Sequence, residues 1–302
     1  MSLGQDTTKA HYIRLMRQLW VKWNEGPIPE KYRVLRVERI ARTIAPKIPT
    51  PDIHTAVIGR AVRGQFESST WSLVLNNLFF EEQEYTYRRF LILATTVYHE
   101  MRHAEQWWRC LQALHHGFAL LPDYHFQIKP TDDRAYERMS VKTKAAIYER
   151  GLPDRQKQQR HITASLLANR LNVPMYVARA ATNSAKADLQ NFLDIHKEWY
   201  VRRDAVRELQ KWVNYLIPGP KYSDFNQNAL RTKIWSPTNP GPFDAGVLAL
   251  NRQKMYQDNP IEKDAHHLPD DIAFRLATSI GVRADDTTRS KKRDDPVFNH
   301  LN

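Results

Sequence analysis

An apolar stripe runs through the middle of the chain, at Tyr87, Phe90, Leu91, Ala94, Val97, Met101, Ala104, Trp108 and Leu111. Steps of three and four put these side chains on one face of a helix. The stripe predicts one long helix over residues 84–115. A helix of that length with one apolar face must be covered, so the other elements are expected to pack around it.

The flanking segments repeat the pattern. Residues 8–24 place Tyr12, Met16, Leu19, Trp20 and Trp23 on one helical face, and the Gly26–Pro29 stretch ends it. A second helix is predicted over 30–44, with Tyr32, Leu35, Ile40 and Ile44 as its apolar side, before the prolines at 46, 49 and 51 break the chain. Between 56 and 80 the pattern changes. Phe66, Trp71, Leu73 and Leu75 read as strand residues, and Asn76–Asn77 as a turn. Further helices are expected at 135–150, 154–171 and 184–217, the last with Phe192, Trp199, Val206 and Val213 at heptad spacing. A long loop from Pro218 to Pro242, two short helices at 245–257 and 260–280, and a polar tail from Arg283 follow. The expected fold class is mostly α with a small β-sheet (α+β).

Composition narrows the possible chemistry. With 302 residues, 42% of them hydrophobic and 26% charged, the chain has the material for a packed core. Cys110 is the single cysteine, so no intrachain disulfide forms and no Cys-based zinc site is available. Any zinc site falls to histidine and carboxylate ligands. The net charge of +12 favours anionic partners. Its basic residues are spread over every predicted helix, which suits solubility and substrate steering better than a nucleic-acid stripe. The start of the chain has no apolar stretch of signal-peptide type. The apolar run Phe90–Tyr98 falls far short of the ~20 residues of a membrane span. A cytoplasmic protein is expected, or one exported by a dedicated secretion or injection system.

The predicted central helix carries His99-Glu100-Met101-Arg102-His103, an HExxH motif. Spacing of four sets His99 and His103 one turn apart on one face, where both imidazoles reach one metal ion. Zinc suits two neutral imidazoles, a third N or O ligand and a water. Glu100 is then the general base that takes a proton from that water. Thr96, His99, His103, Gln106 and Cys110 form a more polar stripe on the same helix. Gln106 either supports His103 or is solvated. Tyr222, Tyr256, His266 and His267 lie where a donor to a developing oxyanion is wanted, or are surface and packing residues. His115 and His116 close the helix, where a cation suits its dipole. The alternative from another class is a basic helical binding protein without catalytic activity. It would use the charge with 8 Trp, 13 Tyr and 11 Phe to hold nucleic acid or an acidic protein.

With this motif the sequence resembles the zincin metallopeptidases. Gln106 and Arg109 stand where the metzincin pattern HExxHxxGxxH needs glycine and histidine, so that branch is rejected. Residues 258–266, DNPIEKDAH, are similar to the NPxExxA motif of gluzincins. The resemblance implies zinc as cofactor, a protein or peptide substrate, and Glu262 as third ligand. Glu262 also fits a capping box, with Asn259 as N-cap and Pro260 at the first helical position. Asp264, His266 and His267 are the fallback ligands, and Glu105 faces away from the metal side. GQFESSTWSLVLNN (64–77) is similar to the edge strand that zincins pair with extended substrate. The HExxHxEQ form also looks like metallopeptidase-like domains of bacterial contractile injection and toxin systems, which implies an effector role. The expected organisation is an N-terminal helical segment (1–50), then a zincin-like catalytic core with helical elaborations (51–282). That core would hold a helical insertion at about 116–242, and a flexible basic tail (283–302) would follow it.

Overall fold

The computed structural model describes residues 2–25, 29–58, 62–80, 86–121, 162–197, 205–217 and 260–281. Among them the fold is mostly helical with one small sheet, an α+β arrangement. The chain divides into two compact units, Met1–Trp108 with Asp264–Asn302, and Arg109–Lys263.

The first unit opens with α1 (Asp6–Asn24), whose Asp6 lies in the first turn and Lys22 in the last, as the helix dipole favours. Its buried face is Tyr12, Met16, Leu19 and Trp23, as the spacing predicts. Helix α2 (Glu30–Ile44) starts after Pro29. Its buried face differs from the expected one: Arg33, Val37, Ile40, Ala41 and Ile44 are buried, while Tyr32 and Leu35 are exposed. The Arg33 guanidinium lies 5.3 Å from the Trp23 ring and donates to Phe80 O at 3.3 Å, which gives the buried cation its partners.

Three strands follow: β1 (Asp52–Ala56), β2 (Gly64–Glu67) and β3 (Ser72–Asn76). The sheet order is β1-β3-β2, with β1 parallel and β2 antiparallel to β3. β3 is buried throughout, which is why its apolar run lacks alternation. Trp71 is not a strand residue but lies in the turn before β3, with φ 55°. So bulky a side chain in left-handed backbone costs roughly 1–3 kcal/mol. Complete burial of the indole offsets that cost, together with an Nε1–H bond to Pro49 O at 2.6 Å and an edge contact to Phe66. β1 went unforeseen because its residues, DIHTA, follow a proline-rich stretch. Asn76 ends β3, and its Nδ2 donates to Ile58 O at 2.9 Å and Val62 O at 2.8 Å.

Helix α3 (Tyr87–His116) is the predicted central helix. Thr86 opens it, accepting from Arg89 N–H through its hydroxyl. Gly117, at φ 75°, closes it in a Schellman motif. Gly117 N–H donates to Leu114 O and Phe118 N–H to Ala113 O. The last described helix, α8 (Pro260–Ser279), gives its residues from Asp264 onward to the first unit and buries Ala265, Leu268, Ile272 and Leu276. Lys9 of α1 bonds Asp271 of α8 at 2.7 Å and Asp6 at 2.9 Å. Burial lowers the Lys9 pKa, but these two carboxylates outweigh it and leave the pKa raised.

Among the described residues, the second unit holds the end of α3 and the short helices α4 (Ala164–Leu171), α5 (Met175–Thr182), α6 (Lys186–Lys197) and α7 (Ala205–Leu216). Thr163 caps α4, and Asn172 ends it in left-handed backbone. The Gln210 amide makes a two-pronged bond with the backbone of Leu120. Arg109 lies over the Phe192 ring at 4.6 Å, so the heptad aromatic packs on a buried cation. The α6 and α7 helices fall within the expected 184–217 helix, but residues 198–204 between them lie outside the described residues. So do the expected helices at 135–150 and 245–257, the 218–242 loop and the tail from 283. Among the described residues no helix is long and apolar enough to cross a membrane.

Candidate metal centre

The site grows from one turn of α3. Four residues advance the helix by slightly more than a full turn, so His99 and His103 rise on the same face. Their Nε2 atoms lie 3.0 Å apart, and their rings meet edge to face with centroids at 4.6 Å. Glu100 points to the same region, with Oε1 3.9 Å from His99 Nε2. One ligand atom from each of the three lies within 4.8 Å of the others. Among the described residues this is the one such group of His, Cys, Asp and Glu. All three side chains are largely removed from water, with His99 11% and Glu100 9% exposed.

The donor set fits zinc. Two imidazole nitrogens bound to one tetrahedral zinc at about 2.0–2.1 Å stand roughly 3.3 Å apart. The observed 3.0 Å opens to that by a small ring rotation.

The sheet reaches the site through its edge. Asn76 N–H donates to Arg63 O, and the β2–β3 register pairs Gly64 with Leu75 and Phe66 with Leu73. Ladder bonds in an antiparallel pair alternate, so the polar groups of Gly64 and Phe66 face outward. Phe66 N–H uses that direction and donates to Glu100 Oε2 at 2.9 Å. The general-base candidate is thus held by edge-strand backbone. Gly64 permits the approach: a Cβ there would stand 2.6 Å from Thr96 Cγ2, 3.3 Å from Leu75 Cδ2 and 3.3 Å from Val74 O. Gly64→Ala is therefore expected to destabilise the protein by about 1–3 kcal/mol. Adding Thr96→Ser removes the clashing methyl and recovers part of that loss. Urea unfolding of the two single variants and the double variant checks this, and strict additivity would contradict it.

Behind His103 lies a buried polar chain. Gln106 Oε1 is 2.9 Å from His103 Nδ1, and Gln106 Nε2 donates to Asp264 Oδ2 at 2.7 Å. Arg102 donates to Asp264 through Nε at 2.8 Å and Nη2 at 3.2 Å. It also pairs with Glu105, which accepts from Leu3 N–H at 3.1 Å. Tyr98 donates to Leu3 O, and burial first, then the Glu105 charge, push its phenol well above its ordinary pKa.

The structure treats the remaining candidates unequally. Gln106 is buried beside His103 rather than solvated. Asp264, a fallback ligand, is taken up by Arg102 and Gln106 instead. Glu105 pairs with Arg102 away from the imidazoles. Glu262 is buried at the third position of α8. Asn259, Tyr222 and Tyr256 lie outside the described residues, and of His266 and His267 only the helical backbone is described. His115 and His116 do form the last turn of α3. Burial, and then His115, lower the His116 pKa, so a cation there is disfavoured despite the dipole. Sequence reasoning missed Phe66 N–H and Gly64. Their signal was the glycine opening GQFE, the one strand position at which a helix methyl leaves no room for a Cβ.

Compared with family models, curated proteins and solved structures, the chain matches none.

Proposed function

We propose that the chain is a zinc-dependent hydrolase of peptide bonds. The observation that carries this reading is the group formed by His99, Glu100 and His103, with Glu100 held by the outward N–H of an edge strand. His99 and His103 would hold the ion through Nε2, and the gluzincin resemblance assigns Glu262 as the third ligand. Zinc supplies Lewis acidity toward a carbonyl and lowers the pKa of bound water. Glu100 takes the proton from the attacking water and passes it to the leaving amine. Phe66 N–H fixes one carboxylate oxygen and leaves the other for that exchange. The outward row of β2 backbone lies beside the same carboxylate, which suits a substrate bound in extended form.

The test is metal content with turnover. Purified protein is expected to hold about one zinc per chain and to cleave a peptide library only when loaded. His99→Ala is expected to lose both. Unchanged zinc content in that variant would remove His99 from the ligand set.

A further inference from the structure

Which ring nitrogen of His103 carries the hydrogen is set by the chain behind it. Arg102 donates twice to Asp264, through Nε and Nη2, which marks Asp264 as an ionised acceptor. An acceptor at 2.7 Å demands the amide nitrogen of Gln106, because the flipped amide would set oxygen against carboxylate oxygen. Gln106 Oε1 is therefore the atom facing His103 Nδ1 at 2.9 Å, and an oxygen there needs an N–H.

We propose that Arg102, Asp264 and Gln106 form a relay that holds His103 as its Nδ1–H tautomer, so that His103 is the preset metal ligand. Its Nε2 lone pair points at the metal position before any ion arrives. Gln106 and Asp264 act through His103 and are positioning residues. The ligand half of this proposal rests on the metallohydrolase reading, whereas the tautomer half does not.

The relay sits in buried surroundings that give it purchase. Gln106 and Arg102 are fully buried, and His103 nearly so. In so dry a site a mispaired amide or ring is expensive, and one hydrogen-bond pattern dominates.

The experiment is long-range 15N–1H correlation of histidine rings in the full-length, metal-free protein at about pH 8, above the ordinary histidine range. Loss of a spin system in His103→Gln assigns His103. In the wild-type protein His103 is expected to show a protonated Nδ1 and an unprotonated Nε2. Gln106→Met keeps the length of the side chain and removes the acceptor. It should return His103 to a tautomer mixture and weaken zinc binding about 10–100-fold. A protonated Nε2 on His103 of the wild-type protein overturns the proposal, and this readout does not depend on a variant that folds. Unchanged tautomer and affinity in Gln106→Met overturn it too. If His103 shows the predicted tautomer but the wild-type protein takes up no zinc, the relay stands and the metallohydrolase reading fails.

Discussion

Replacing Glu100 with glutamine is expected to leave zinc uptake intact and to lower peptide hydrolysis about 10²–10⁴-fold, the usual contribution of a positioned general base. The substitution is nearly isosteric. A glutamine carbonyl still accepts from Phe66 N–H, which now reaches the carboxylate at 2.9 Å, so the seat of the side chain is kept. What is lost is basicity. An amide takes no proton from water, and the step that Glu100 carries has no other carboxylate in the group to perform it. Stability should change little, because the glutamine amide keeps the bond from Phe66 N–H. The loss should fall on kcat, with KM changed less, since the interaction matters when the proton moves. Steady-state kinetics with metal analysis of the same preparations checks this. Retained turnover would sink the role of Glu100.

The largest effect on stability is expected at Arg102. Arg102 and Glu105 have 0% side-chain exposure and Asp264 has 7%. Arg102→Met leaves two carboxylates in the first unit without their cation. Breaking a buried pair in this way typically costs 3–5 kcal/mol, a large share of the roughly 5–15 kcal/mol that holds a domain folded. Arg102→Met/Glu105→Gln removes one stranded charge as well, and should be less harmful than Arg102→Met alone. Chemical denaturation of both variants, with Glu105→Gln completing the cycle, reads the coupling. Additive losses would show that the pair is worth no more than two separate side chains. The same network reaches Leu3 through Glu105 and Tyr98, so the segment before α1 should loosen with it.

Local pattern made much of this legible. The α3 stripe and the four-residue step from His99 to His103 depend on helix geometry alone, so the central helix and two imidazoles of the site follow from sequence. Features that depend on distant partners did not. Arg33 shares the buried face of α2 with Val37, Ile40, Ala41 and Ile44 and lies over Trp23, a partner that the spacing within α2 does not reveal. Trp71 looks like a strand residue by composition, yet only its pocket beside Pro49 and Phe66 explains why it tolerates a turn. Asp264 read as a spare ligand because the sequence does not reveal that Arg102 and Gln106, more than 150 positions away, claim its oxygens. Phe66 enters through its backbone, which leaves no trace in residue type.

Diffraction from zinc-equilibrated crystals, recorded on both sides of the zinc absorption edge, tests whether His99 and His103 hold a zinc ion beside Glu100. One strong anomalous peak is expected, about 2.0–2.1 Å from Nε2 of both histidines, with the third ligand visible in the same map. No peak between the two imidazoles, or zinc bound only elsewhere on the chain, would contradict it.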